Sequence, residues 1–382
     1  MFEYLSLLLS PYYYNILVIV AAYFFIFSFV NHYEMRRFTL EPEIFNGPFV
    51  SVLIPMRNEE KNAEKCLKHL RNQNYENYEI LVINDNSTDN TLNILERMAA
   101  EDKRIKIFNG KPLPDDWYGK PFALQQLSYN AKGDILIFTD ADTVHGPASI
   151  SWAVTNLLNL KTDMISGYTG QDIKKFGEII TIPLMFCLTG FVIPLFLNRL
   201  LKSSLFSIAI GQYIAIKNDV FKTIGGYEAI RKKTSEDICL ARYVKQKGYN
   251  TFFLDITKHV KCKMYDGYRS AYQGIGKTMY DFFGRNIFLL VIFAIAVFFF
   301  IFFPFCLLLG CAVFNSQWAL HIIIINILHT LTCIFMLSRQ RLNWLYGFLW
   351  PLMYLNYLYI SFWSWFMTVF GKGFLWKGRK VI

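Results

Sequence analysis

Gly133-Asp134-Ile135-Leu136-Ile137-Phe138-Thr139-Asp140-Ala141-Asp142 is the stretch on which the fold of this chain turns. It opens on a turn signal, Lys132-Gly133-Asp134, runs through branched and aromatic residues, and ends in two carboxylates one residue apart. A short apolar run of this kind reads as a strand buried on both faces of a parallel sheet. Residues i and i+2 of a strand point to the same side, so Asp140 and Asp142 can converge beyond its carboxyl end. Open α/β sheets bind ligands at that end. Two close carboxylates raise each other's pKa unless a cation lies between them. The pair is therefore a candidate Mg²⁺ or Mn²⁺ site that also holds a phosphate group. Taken alone, the same residues equally suit a plain turn after a strand, where Asp is common.

Upstream, Phe49 to Ile54 is an apolar run ending at Pro55, followed by Met56-Arg57-Asn58-Glu59-Glu60 and an amphipathic helix to about Asn72. A second strand, Glu79 to Ile83, ends in Asn84-Asp85-Asn86-Ser87-Thr88-Asp89, with a helix from about Asn90 to Ala100. Arg104 to Phe108 reads as a third strand and Lys120 to Ala131 as a helix. Strands and helices alternating at this spacing imply a parallel sheet with crossover helices. Three strand ends then carry polar clusters on one edge, as a nucleotide site requires. Arg57 is placed to meet phosphate and Asp85 to accept from a base or ribose. Ser87, Thr88 and Asp89 are also N-cap candidates, so helix capping accounts for that cluster equally well. Neither GxGxxG nor GxxxxGK[ST] occurs, which argues against a dinucleotide fingerprint or a P-loop. Phosphate charge is left to a metal and to side chains.

Downstream, Ile179 to Leu197 is nearly uncharged. A full crossing there would put Asp142 and the later polar block on opposite sides of a membrane. The segment is therefore expected to lie in the membrane plane or re-enter, with Pro183 and Pro194 breaking it; a core helix is the other reading. Gly211-Gln212-Tyr213-Ile214-Ala215 opens the next block and Gly225-Gly226-Tyr227 is a turn. Thr234-Ser235-Glu236-Asp237 starts a helix to about Lys247, with Ser235 at the N-cap. Acids in a first turn favour the helix dipole. Asp237 is also placed to act as a catalytic base facing the metal site.

The 382 residues are 54% hydrophobic and 18% aromatic, concentrated at the two ends. Leu5 to Val30 carries no charge and is long enough to span a bilayer. Arg36 and Arg37 follow it and put the next segment on the cytoplasmic side. Ile287 to Phe314 and Ala319 to Leu337 span again, and Arg339 and Arg341 mark a cytoplasmic loop. Trp344 to Phe370 is a third apolar stretch with Pro351 inside it, before a tail carrying Lys372, Lys377, Arg379 and Lys380. Three crossings would put this basic tail outside, against the positive-inside tendency. A last stretch that re-enters or lies at the interface instead of crossing resolves the conflict and keeps the tail cytoplasmic. The expected division is an anchor over 1–35, a catalytic α/β domain over 36–286 with an interface segment at about 177–203, and a membrane region over 287–382. The expected location is the inner cell membrane, multi-pass, with the catalytic domain on the cytoplasmic side.

A net charge of +10 suits docking on anionic lipid. No basic stripe interleaved with aromatics marks a nucleic-acid surface. The seven cysteines show neither metal spacing nor a disulfide framework, and the six histidines include no HExxH. Nothing in the sequence fixes an oligomeric state.

The assembled pattern resembles the family-2 membrane glycosyltransferases. The residues that carry the resemblance are Ser51-Val52-Leu53-Ile54-Pro55-Met56-Arg57-Asn58-Glu59-Glu60, Asn84 to Asp89, Asp140-Ala141-Asp142 and Ser235-Glu236-Asp237, in order across roughly Phe49 to Asp255. Leu113-Pro114-Asp115-Asp116-Trp117-Tyr118-Gly119-Lys120 and Trp376-Lys377-Gly378-Arg379 look like the bacterial branch that includes hopanoid-associated and carotenoid glycosyltransferases. The resemblance implies a GT-A fold (Rossmann-like, with a mostly parallel sheet) flanked by transmembrane helices, a nucleotide-sugar donor, most simply UDP-linked, and a divalent metal. It places Pro55, Arg57 and Glu59 along the donor pocket, Asp85 on the nucleoside and Lys120 near the nucleotide or diphosphate. Asp140 falls near ribose or metal, Asp142 on the metal, and Asp237 as general base. Many relatives carry QxxRW after the base. Here Tyr272-Gln273-Gly274-Ile275-Gly276-Lys277 stands in that region without Arg-Trp, which puts processivity in doubt. Gln212, Gln273 and Lys277 are the candidates for the acceptor or diphosphate side. The expected reaction moves one hexose to a membrane lipid. A polyprenyl-phosphate glycosyltransferase and a polysaccharide synthase are the rival enzymes, and a membrane scaffold or transporter with an inactive nucleotide domain is the rival from another class.

Overall fold

The structure is a computed structural model that describes residues 11–233, 235–311, 318–371, 373–376 and 378–380. Residues 5–10 of the first apolar stretch, Thr234, residues 312–314 of the second apolar stretch, and Lys372 and Lys377 of the tail lie outside the described residues. The chain divides into two compact units, one of residues 33–172 and 194–264, the other of residues 1–32, 173–193 and 265–382.

The first unit is α/β. Its strands are β1 (Val50–Met56), β2 (Tyr78–Asn84), β3 (Ile105–Asn109), β4 (Ile135–Thr139), β5 (Thr143–His145), β6 (Met164–Tyr168), β7 (Gly170–Gln171), β8 (Tyr213–Lys217), β9 (Thr251–Asp255) and β10 (Val260–Cys262). Among the described residues, seven of them form one sheet in the order β3-β2-β1-β4-β8-β6-β9. β1 pairs in parallel with β2 from Val50–Tyr78 to Met56–Asn84, and with β4 from Val50–Ile135 to Leu53–Phe138. β8 is antiparallel to both β4 and β6, while β6 and β9 are parallel, so β8 alone runs backwards in a mostly parallel sheet.

The continuous apolar runs follow from burial on both faces. One face packs Val52, Ile54, Ile80, Val82 and Ile137 against Leu67, Leu70, Leu95 and Trp152. The other packs Leu53, Leu81, Leu136 and Phe138 against Leu124, Leu127, Phe221 and Leu240. Pro55 lies past the last residue of β1 that pairs with β4, where a missing N–H removes nothing from that ladder. Gly133 is fixed by close approach, since a Cβ there would fall 2.4 Å from the Ser51 nitrogen. A small second sheet, β5-β10-β7, joins the segment after Asp142 to Cys262 and Gln171.

The second unit is helical and apolar. Among the described residues, three helices are long and apolar enough to cross a membrane: Tyr12–Phe38, Ile287–Leu309 and Ala319–Arg339. The Ile179 to Leu197 stretch is broken into helices Phe176–Ile179, Ile182–Val192 and Leu195–Leu200, as its prolines predict. Pro194 stands at the second break, whereas Pro183 sits in the first turn of Ile182–Val192, where its lost N–H has no partner to miss. Pro351 likewise opens helix Trp350–Val369 after a tight 3₁₀ segment, Trp344–Leu349. The buried carboxylate of Glu178 accepts from the backbone N–H groups of Lys174 (2.9 Å), Lys175 (3.0 Å) and Gly267 (2.6 Å).

Candidate active site

The carboxyl ends of β1, β2 and β4 lie on one edge, and the loops after them are knitted together. The Arg57 guanidinium donates to the carbonyls of Asp85 (2.7 Å) and Asn86 (2.9 Å), bracing the loop after β2. The Glu59 N–H donates to Thr91 Oγ1 (2.8 Å) and its carboxylate accepts from Asn62 (2.8 Å). Asp85 is nearly buried and its N–H donates to the Met56 carbonyl (2.7 Å). Of the three capping candidates, Asp89 acts: its carboxylate accepts from the Thr91 N–H (3.0 Å) and hydroxyl (2.5 Å) at the start of helix Thr91–Glu101. Ser87 and Thr88 instead meet Asn58. Asn90 holds the N-cap position but makes no capping bond with its side chain, which accepts from Asn93 Nδ2 (2.7 Å).

A charged cluster gathers beyond β4. Lys120, in the first turn of helix Gly119–Ser128, places Nζ 2.6 Å from Asp140 and 3.3 Å from Glu236. Asp237 opens helix Glu236–Gln246 and accepts from the Gly211 N–H (2.9 Å) and from its neighbour Ile238 (2.8 Å). A Cβ at Gly211 would lie 2.9 Å from Lys120 Nζ and 3.5 Å from the Asp237 carboxylate, so it would displace the end of the lysine. Burial, then the Glu236 charge, push the Asp237 carboxyl up to about 6, against Lys120 and the two backbone donors. Burial opposes the charge on Lys120, yet Asp140 and Glu236 outweigh it and hold the ammonium well above its ordinary range. Ser235 occupies the N-cap position but makes no capping bond with its side chain; the first-turn acids are turned to Lys120 and Gly211 instead.

Asp142 follows β4 beside Cys262. Its carbonyl accepts from the Lys263 N–H (3.1 Å), and burial together with the Asp142 and Asp140 charges raises the Cys262 thiol well above its ordinary range. Cys66, Cys239, Cys262, Cys306 and Cys333 are free thiols. Gln212 is buried, its amide oxygen accepting from Thr169 and from Gln171 (3.2 Å), while its amide nitrogen has no hydrogen-bond partner among the described residues. Gln273 and Lys277 lie on helix Tyr268–Phe282 of the helical unit.

The fit to a divalent cation rests on the donor set. Among the described residues no group of three or more His, Cys, Asp and Glu could enclose a metal. Asp140 and Asp142 at one strand end suit Mg²⁺ or Mn²⁺, which commonly take one or two carboxylates and complete their shell with substrate phosphates and water. Sequence reasoning missed Glu236 as the second partner of Lys120, though it stands beside Asp237 in the motif. It also missed Gln171 and Cys262, whose approach depends on strands too short to leave a periodic signal.

Residues 51–225 match Glycosyl transferase family 2. Over 210 residues the chain is 29% identical to YdaM of Bacillus subtilis, a probable glycosyltransferase, covering 54% of this chain and 49% of that protein. Over 97 residues it is 39% identical to the beta-monoglucosyldiacylglycerol synthase of Nostoc sp., covering 25% of this chain and 20% of that protein. The matched segments thus span about half or less of these relatives. The solved mannosyltransferase PcManGT from Pyrobaculum calidifontis, in complex with GDP-Man and Mn²⁺, aligns at a TM-score of 0.56 and 18% identity, covering 94% of this chain and 99% of that one. The parallel sheet, the polar edge it builds and these matches lead to one conclusion: the chain carries a family 2 glycosyltransferase domain of GT-A fold.

Proposed function

We propose that the protein transfers one hexose from a nucleotide-sugar donor, UDP-linked, to a hydroxyl or carboxyl group of a membrane lipid such as a carotenoid, a hopanoid or another glycolipid precursor, with inversion at the sugar carbon. The observation that carries this reading is the Lys120–Asp140–Glu236–Asp237 cluster at the carboxyl edge of the sheet. Asp237 takes the proton of the acceptor as the acceptor oxygen bonds to the anomeric carbon and the bond from that carbon to the diphosphate breaks. A carboxyl pushed up to about 6 is still ionised at neutral pH and is a stronger base than an ordinary aspartate. Pro55, Arg57, Glu59 and Asp85 line the donor pocket, with Arg57 holding the nucleoside loop in place through its carbonyls. Lys120 keeps its charge for the diphosphate. Asp142, with Asp140, would hold Mg²⁺ or Mn²⁺; the cation, when bound, neutralises charge on the leaving diphosphate. Gln212, Gln273 and Lys277 are assigned to the acceptor or diphosphate side.

A lipid acceptor is supported by the three apolar helices and by the glycolipid synthase among the relatives. We place the protein in the inner cell membrane, crossing it more than once. Arg36 and Arg37, at the end of the first helix, support a cytoplasmic position for the sheet unit. The test is label transfer from a panel of radioactive nucleotide hexoses into organic-extractable lipid, with Mn²⁺, in membranes carrying wild type or Asp237→Asn. Label in lipid with wild type only supports the assignment and names the sugar. Label in an aqueous polymer replaces it with a polysaccharide synthase.

A further inference from the structure

We propose that His145 is a positioning residue for this reaction: through Thr139 and Thr143 it fixes the Asp140–Asp142 turn to the Gly211–Gln212 segment that supports Asp237. The proposal rests on the transfer reading above and adds a residue that touches neither donor nor acceptor.

The argument is a count of hydrogens. Thr143 Oγ1 donates to the Asp140 carbonyl (2.6 Å) and Thr139 Oγ1 donates to the Gln212 carbonyl (2.8 Å). Each hydroxyl has one hydrogen, and both are now used. The two oxygens nevertheless lie 3.0 Å apart, lone pair towards lone pair. His145 Nε2 sits 3.1 Å from Thr139 Oγ1 and 3.0 Å from Thr143 Oγ1. It must carry the hydrogen and share it between them. This N–H is what lets the two hydroxyls stand together and spend their own hydrogens on the two carbonyls.

The other side of the ring faces Ser149 Oγ, 3.1 Å from Nδ1. Ser149 donates its one hydrogen to Gln73 Oε1 (2.8 Å), which also accepts from the Ile150 N–H (3.2 Å). Gln73 is itself held in one orientation, its amide nitrogen donating to the carbonyls of His69 (3.1 Å) and Gly146 (2.8 Å). Thr139, Thr143 and His145 are each 1% exposed and Ser149 is 0% exposed, so bulk solvent does not reach these groups. Burial, with His69 nearby, pushes the imidazole down to about 3 and keeps it neutral.

The consequence is mechanical. The Asp140 carbonyl belongs to the turn that presents the Asp140 and Asp142 carboxylates. The Gln212 carbonyl belongs to the segment whose Gly211 N–H holds Asp237. One imidazole N–H therefore governs the spacing between the carboxylate pair and the base.

The test compares His145→Leu, similar in bulk without the N–H, with His145→Gln, whose amide N–H reaches about as far as Nε2. The full-length protein is used, well below its melting temperature. The expected result for Leu is a fall in kcat for transfer of roughly 10–100-fold, the scale of a small misplacement of reacting groups. Mn²⁺-dependent UDP binding, measured by titration, should weaken several-fold with it. Gln should restore most of both, even where its melting temperature is lowered as much as that of Leu. Thr143→Val should reproduce the Leu phenotype, and adding His145→Leu to it should cost little more. Equal impairment of Gln and Leu, tracking only their loss of melting temperature, overturns the proposal, as does a Leu variant with wild-type kcat and UDP affinity. If Leu fails to fold, the Gln and Thr143→Val arms carry the comparison. Wild type that binds UDP with Mn²⁺ but transfers to no lipid overturns the transfer reading while the binding arm still decides the role of His145. Wild type that binds no nucleoside diphosphate overturns both.

Discussion

The end of β4 is gripped from two sides by arrangements of opposite character. In front, Lys120, Asp140, Glu236 and Asp237 form a charged cluster that solvent reaches: the side chains of Lys120 and Asp140 are 33% and 26% exposed. Behind, Thr139, Thr143, His145, Ser149 and Gln73 form a neutral network closed to solvent except at its Gln73 end. Part-exposed ion pairs contribute little, about 0–1 kcal/mol each, so a ligand can rearrange them cheaply. A buried donor or acceptor left without its partner costs about 1–3 kcal/mol, so the rear network holds one geometry. In the proposed reaction the charged half is the part that reacts, and the neutral half is the part that measures distance.

Substitutions in the two halves should separate accordingly. The largest effect belongs to the front. Asp237→Asn should lower turnover by roughly 10²–10⁴-fold, the worth of a general base, while UDP binding with Mn²⁺ persists; loss of binding as well would make Asp237 a ligand or a structural residue. Asp142→Ala should weaken Mn²⁺-dependent UDP binding by at least the ~10–100-fold that removing an outer partner of a metal ligand costs. An unchanged Mn²⁺ titration would remove Asp142 from the metal site. Gly211→Ala, which drives a methyl group towards Lys120 Nζ, should lower turnover about tenfold, or about 1.4 kcal/mol in the barrier. It leaves the rear network intact, so a fall in melting temperature as large as that of His145→Leu would blur the distinction.

The smallest effect is on stability. The folded state holds the Asp237 proton to about pH 6, whereas an unfolded aspartate releases it near pH 3.9. The stability contributed by this group is fully present below about pH 4 and is lost as pH rises through about 6. Melting temperatures of wild type relative to Asp237→Asn should therefore fall between pH 4 and pH 7. A difference that does not change with pH would show that the carboxyl is not raised.

The polar edge was legible where its residues stand at the ends of apolar runs, whereas Glu236 as a partner of Lys120 was not. Asp140 and Asp142 close one run, Asp85 follows another, and Arg57 stands two residues past Pro55. The parallel strands themselves followed from the same runs, since burial on both faces writes them as unbroken apolar stretches. The rear half left no such mark. A histidine five residues beyond Asp140 looks like any residue of a loop, and its role exists only when Thr139, Gln73 and Ser149 are brought to it from three elements. The reversal of β8 was equally silent, because an apolar run does not state its direction. Ser235 shows the opposite failure: a good capping residue in a capping position makes no cap, and the Ile238 N–H at the helix start goes to the Asp237 carboxylate instead.

The way the backbone is threaded has a consequence for anyone cutting the gene. The sheet unit is encoded by 33–172 and 194–264, and the insert 173–193 between them belongs to the apolar helical unit. Trimming both termini to 33–264 removes all three long apolar helices from the helical unit's share of the chain, yet retains that insert. No single contiguous fragment encodes the sheet alone. A soluble version of this catalytic half calls for a splice that joins residue 172 to residue 194, and it is at that junction, instead of at either terminus, that the engineering has to be done.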